Sequence, residues 1–239
     1  MDRRTLMIGA LGGAAAATAG LAARPARGDA GDGAGAPLPK RDRVRVAFML
    51  GEGANVIDTA GPWEVFQDVM LHGGPVHDPF QLYTVAATKE PVQMTGGMKV
   101  QPRHSIADAP QPHVIVIPAQ RSSPQMLAWL KAASAKADVT MSVCTGAFQL
   151  ARAGLLEGMQ VTTHHDYWDD FAREFPALDL KRGPRFVDNG RIASAGGLTS
   201  GIDLALHVVR RYYGEEVATA TARYMEHASD AWRTGVAAT

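Results

Sequence analysis

From Arg43 onward, short apolar runs alternate with stretches whose apolar positions recur every three or four residues. Val44–Leu50 (VRVAFML) is apolar enough for a central strand. A loop over Gly51–Asn55 leads to a helix predicted over Trp63–Leu71, where Val65, Phe66, Val69 and Met70 share a face and Pro62 suits the start. After a turn over Gly73–Pro79 come a second strand, Phe80–Ala87, and a hairpin around Gly96-Gly97, flanked by Val92–Gln93 and Met98–Pro102. Val114–Pro118 (VIVIP) is a run of the kind that both faces of a parallel sheet bury. A helix over Pro124–Ala137, a strand over Val139–Val143 and a helix over Ala147–Ala153 follow, the last stopped by Gly154. Gln160–Thr163 reads as a strand and Tyr167–Phe175 as a helix. Asn189-Gly190 is a two-residue hairpin turn between Phe186–Val187 and Arg191–Ser194. Helices over Ile202–Tyr213 and Glu215–His227 complete the pattern. Strands alternate with helices throughout, so the class is α/β, with a mainly parallel central sheet and helices on both faces. One domain, 43–227, holds the pattern, and no internal repeat is visible. The tail 228–239 is expected to be mobile.

The junction Val139–Gly146 (VTMSVCTG) carries the clearest chemical signal. A strand that turns at once into a helix lifts the turning residue above the sheet, with the helix N-terminus beneath it. Here that residue is Cys144, the single cysteine among 239 residues. Free backbone N–H groups and the positive end of the helix favour a thiolate in this place. A lone cysteine is more often a small buried hydrophobe; the coincidence of strand end, small residues and helix start favours a nucleophile elbow.

The N-terminus departs from the globular pattern. Arg3-Arg4 precedes a mildly apolar Ala/Gly-rich run, Leu6–Ala23, with small-residue cleavage sites beyond it. This is the form of a twin-arginine export signal, taken as 1–28, and it places the mature protein in the periplasm or outside the cell after passage through the twin-arginine machinery. A membrane anchor is the alternative. Residues 29–42 read as a flexible Gly/Ala/Pro linker. Composition is otherwise that of an ordinary globular chain, 46% hydrophobic and 20% charged with zero formal net charge. Loss of residues 1–28 removes four arginines and one aspartate, for a net of about −3. No basic stripe points to nucleic acid, and one cysteine excludes an intrachain disulfide or a cysteine-rich metal centre.

Open parallel sheets bind ligands outside the carboxyl ends of their strands. Four segments converge there: the loop and helix start with Asp58, the Ala119-Gln120 turn after VIVIP, the Cys144 elbow, and Thr163-His164-His165. Together with Asp58–Phe66 (DTAGPWEVF), Val143–Ala147 (VCTGA), Thr162–His164 and Ala195–Asp203 (AGGLTSGID), this order resembles the ThiJ/PfpI superfamily over roughly residues 43–215. Within it the chain is most similar to the isonitrile hydratase branch and to the ligand-binding half of AraC-type regulators. The resemblance implies a flavodoxin-like sandwich, a homodimer, no cofactor, a Cys144 nucleophile and an Asp58 general acid. Thr145 follows the nucleophile where PfpI-type proteases carry a histidine, which speaks against proteolysis. The Thr145 N–H, with one from the Ala119-Gln120 turn, is expected to stabilise a developing negative charge. Relatives commonly carry Gly-Gly where Ala119-Gln120 stands.

Each of these residues has a plainer reading. Asp58 precedes a Thr and a Pro-started helix, as a cap does; on the residues alone the two roles are even, and the resemblance favours the site. Burial and a nearby thiolate would keep Asp58 protonated. His164 is expected to line or support the pocket, and His165 to be exposed. With Asp166 and with His72 or His77 they show no metal-ligand spacing, so no metal is expected. Thr199 or Ser200 is expected to cap the following helix. Trp63, Trp129, Trp168 and Trp232 are expected in core or interface. The function read from the sequence is a cysteine-dependent hydratase turning an isonitrile and water into an N-substituted formamide. The alternative is a non-catalytic exported ligand-binding or thiol-sensing protein. The stretch after Gly214 is too short for a helix-turn-helix pair, so no nucleic-acid partner is expected.

Overall fold

The computed structural model describes residues 35–71 and 78–237. The export signal 1–28, His72 and His77, and the last two residues lie outside the described residues. The strands are β1 (Val44–Met49), β2 (Phe80–Ala86), β3 (Val92–Gln93), β4 (Lys99–Val100), β5 (His104–Ser105), β6 (Val114–Ile117), β7 (Val139–Ser142), β8 (Gln160–Val161), β9 (Asp179–Leu180), β10 (Phe186–Asp188), β11 (Ile192–Ala195) and β12 (Val236–Ala237). The helices are α1 (Val56–Gln67), α2 (Pro124–Ser134), α3 (Gly146–Arg152), α4 (Trp168–Glu174), α5 (Ser200–Tyr213) and α6 (Glu215–Tyr224).

Eight strands form one sheet in the order β12-β10-β11-β7-β6-β1-β2-β5. Each neighbouring pair is parallel except β10–β11, the hairpin expected at Asn189-Gly190. β3 and β4 pair antiparallel around Gly96-Gly97, also as expected. Side-chain alternation sends Val44, Val46 and Phe48 to one face, against α1, α5 and α6, and Ala47 and Met49 to the other, against α2, α3 and α4. The fold is therefore an α/β sandwich with a mostly parallel sheet.

Three expectations give way. Helix α1 starts at Val56, two turns before Trp63, because the Asn55 side chain accepts from the N–H groups of Ile57 and Asp58. Asn55 is thus the cap, and Asp58 lies inside the first turn. Pro62 sits within the helix, where α1 crosses α5. Gly61 allows that crossing: a Cβ there would meet Ile202 Cγ1 at 2.9 Å, and one on Gly201 would meet both Val143 methyls at 2.9 Å. The second correction concerns residues 35–42, read as linker. The Leu38 N–H donates to the Arg211 carbonyl at 2.8 Å, and Arg41 pairs with Asp138 at 2.6 Å. The third concerns the tail 228–239, where Trp232 is 1% exposed and β12 joins the sheet beside β10. A buried indole holds this segment down. Among the described residues, no helix is long and apolar enough to cross a membrane.

Candidate active site

Strand β7 delivers Cys144 to the carboxyl end of the sheet in the left-handed backbone region, with φ +57°. A non-glycine residue pays about 1–2 kcal/mol for that conformation, so the surroundings must hold it. The Cys144 N–H donates to the Gly196 carbonyl at 2.8 Å, and the Thr163 hydroxyl donates to the Cys144 carbonyl at 2.9 Å. Beyond the turn, Gly146 packs against β6 so closely that a Cβ would lie 2.2 Å from the Ile117 carbonyl oxygen. The elbow expected from the sequence is present, and its side chain keeps 6% exposure.

Asp58, on the first turn of α1, is fully buried. Its Oδ2 accepts from the Ala119 N–H at 3.1 Å, while Oδ1 has no conventional hydrogen-bond partner among the described residues. The Cys144 thiol and the Leu198 N–H are the other polar groups acting on this carboxyl. Cys144 and Asp58, separated by the whole of β2 to β7 in the chain, therefore meet.

Their protonation follows from burial. Desolvation pushes Asp58 from the ordinary 3.8 up to about 6, against the pull of the Ala119 and Leu198 N–H groups and the Cys144 thiol. Burial also pushes the Cys144 thiol up to about 12; the Asp58 charge adds to this, and the N–H groups of Thr145 and Leu198 oppose it. Both groups are thus pushed toward their protonated forms, the thiol most strongly, so the resting sulfur is a thiol. The rise at Asp58 has the direction expected from burial; the raised thiol departs from the resting thiolate expected at the elbow. A seven-residue helix terminus does not outweigh the loss of water around sulfur.

Of the predicted surroundings, Thr145 is in place, since its N–H acts on the sulfur. Ala119 is at the site but in another role, because its N–H is committed to Asp58. Gln120 turns away: its Oε1 accepts from the Gly51 N–H and its carbonyl from Gln149. The second N–H acting on the sulfur is instead that of Leu198, which sequence reasoning missed. A backbone donor leaves no side-chain signature; the signal on hand was the Gly196-Gly197 pair preceding it. Leu198 also lies in the left-handed region, at φ +53°, and its side chain is 41% exposed. His164 supports this loop, its ring packed so closely on Gly197 that a Cβ there would come within 2.0 Å. Thr199 stands at the cap position of α5 without bonding into the helix; its hydroxyl accepts from Arg185 at 3.3 Å.

His164, His165 and Asp166 bring ligand atoms within 4.8 Å of one another, but His165 and Asp166 are exposed and already paired at 3.1 Å. An apolar cavity of about 230 Å³ lies along Val56, Thr59, Ala60 and Trp63 of α1; neither Cys144 nor Asp58 lines it. Trp63 packs against Phe48 with the rings tilted by 48°, and the Trp168 indole donates to the Thr163 carbonyl at 3.0 Å.

A small molecule reaching this elbow would meet a thiol, a carboxylate able to take its proton, and two backbone N–H groups that favour negative charge on the sulfur. Residues 44–211 match the pattern of the DJ-1/PfpI family, and the chain belongs to that family. It is 28% identical over 191 residues to an isonitrile hydratase of Pseudomonas putida, covering 77% of this chain and 79% of that protein. It is 25% identical to the HTH-type transcriptional regulator GbdR of Pseudomonas aeruginosa over 78% of this chain; it spans 51% of that regulator's length. Among solved structures, a ThiJ/PfpI family protein from Pseudomonas syringae superposes with a TM-score of 0.69 at 24% identity, covering 88% of this chain and 84% of that one.

Proposed function

We propose that this DJ-1/PfpI-family protein is a cysteine-dependent hydratase that converts a small isonitrile to an N-substituted formamide. The observation that carries the reading is the buried Asp58 carboxyl set against the Cys144 thiol at a strained elbow. The similarity to an isonitrile hydratase supports the choice of substrate. An isonitrile suits a site whose resting nucleophile is a thiol, because its terminal carbon accepts both the sulfur and a proton. Asp58 takes the thiol proton as the S–C bond forms, then returns it to that carbon, leaving a thioimidate on Cys144. Asp58 next deprotonates a water that adds to the thioimidate carbon, and the nitrogen takes the proton. The C–S bond breaks, its electron pair returns to sulfur with the hydroxyl proton, and the formamide leaves. The Thr145 and Leu198 N–H groups stabilise the charge on sulfur as it comes and goes.

The test is formamide release from alkyl isonitriles by the full chain. Cys144→Ala should abolish it, and Asp58→Asn should slow it by about 10²–10⁴-fold. Undiminished turnover by a folded Cys144→Ala protein would refute the proposal. A second reading, an exported binding or sensing protein, draws on the regulators among its relatives and on the raised thiol. Saturable isonitrile binding without turnover would favour it. Export by the twin-arginine route rests on Arg3-Arg4 and the run behind them, and a homodimer on the family resemblance; cell fractionation and size-exclusion chromatography test these parts of the proposal.

A further inference from the structure

Outside the reacting pair, one cluster of charged groups borders the same loop. Asp203, on the first turn of α5, is fully buried. Its Oδ2 accepts from Arg185 Nε at 2.6 Å, and His227 Nε2 lies 2.9 Å from its Oδ1. Three further bonds tie this cluster to the elbow. The Arg185 carbonyl accepts from the Gly196 N–H at 2.9 Å, and the Gly196 carbonyl in turn accepts from the Cys144 N–H at 2.8 Å. The Arg185 guanidinium also donates to the Thr199 hydroxyl at 3.3 Å. The segment 196–199 is thus gripped at both ends by one arginine, with the strained Leu198 between the grips.

We propose that Arg185, fixed by Asp203 and His227, is a positioning residue that holds the 196–199 loop so that the Leu198 N–H stays on the Cys144–Asp58 pair. A leucine at φ +53° reverts to an ordinary conformation unless its neighbours prevent it. Its own side chain, 41% exposed, does little to prevent it. The guanidinium acts against a carboxylate shielded from water, where a charge-assisted bond is strong and directional. His227 brings the segment after α6 into the same clamp. In this way the C-terminal part of the chain, remote in sequence from Cys144, contributes to the geometry at the sulfur.

The inference rests on the Cys144–Asp58 pair and not on the isonitrile, so it is read without substrate. Cys144 is the single cysteine, and iodoacetamide therefore reports on it alone. Alkylation of the full-length protein is followed from pH 5 to 9, where the logarithm of the rate bends as Asp58 ionises. In Arg185→Ala the loss of the Leu198 N–H should move the bend upward by about one pH unit. Arg185→Lys should recover part of the displacement. Thr199→Val, which keeps the Arg185–Asp203 pair, should produce a smaller movement in the same direction. Arg185 is partly exposed, so the folded state of each variant is checked by its thermal melt. A bend at the wild-type pH in both Arg185→Ala and Thr199→Val would overturn the proposal. Loss of hydratase turnover in the wild type with the bend still moving would refute the substrate assignment and leave the clamp standing.

Discussion

Replacing Asp58 by Asn should make the protein more stable while slowing its turnover. The carboxyl is fully buried, and burial moves its pKa from 3.8 to about 6. A pKa raised on folding means that the folded state holds the proton more tightly. The wild type is therefore most favoured below the unfolded value, and it loses stability as pH rises from about 4 through 6. Two pH units at about 1.4 kcal/mol each place the full cost of the buried charge near 3 kcal/mol above pH 7. Asparagine has nearly the same shape. Its amide oxygen can take the place of Oδ2 in accepting from the Ala119 N–H, and its amide N–H can face the sulfur, but it carries no charge. Urea denaturation of both proteins at pH 7.5 and at pH 4 measures the difference. We expect Asp58→Asn to be more stable by about 1–3 kcal/mol at pH 7.5, and most of that gain to vanish by pH 4. A variant less stable than the wild type at pH 7.5, or a gain independent of pH, would refute the reasoning. The first result would mean that the Ala119 and Leu198 N–H groups offset the desolvation of the carboxylate, and the second that the gain does not come from its charge.

Turnover should rise as pH passes about 6, where Asp58 becomes able to accept the thiol proton; a rate that falls through this range would contradict the base assignment. At neutral pH the Cys144 thiol should alkylate far more slowly than free cysteine, because burial and the Asp58 charge push it up to about 12; labelling against glutathione checks this. Gly146→Ala places a methyl 2.2 Å from the Ile117 carbonyl, a backbone atom that cannot swing aside, and should cost several kcal/mol in a thermal or urea melt (on the order of a severe core substitution). Trp232→Ala should destabilise by about 3–5 kcal/mol if the C-terminal segment is part of the core, and by nearly nothing if it is a loose tail.

The features that the chain displays locally were the ones legible before folding. Alternation and apolar runs determined the sheet class, Asn189-Gly190 its one antiparallel hairpin, and the strand–Cys–small–helix junction marked Cys144 as the turning residue. Each depends on residues within a few positions of one another. What Cys144 is chemically depended on tertiary structure. The positive-helix-end reasoning called for a thiolate, but desolvation by the packed core and a carboxylate from α1 place the proton on sulfur. Asp58 on its residues alone was as good a cap as an acid; Asn55 took the cap, and the crossing of α1 with α5 at Gly61 and Gly201 decided the rest. Leu198 and Arg185 had no side-chain signature, since one acts through its backbone and the other through a partner eighteen residues away. The sequence by itself determined which atom can react. Only the folded chain decided where its proton sits and which N–H groups face it, because desolvation and backbone direction are properties of packing and not of residue type.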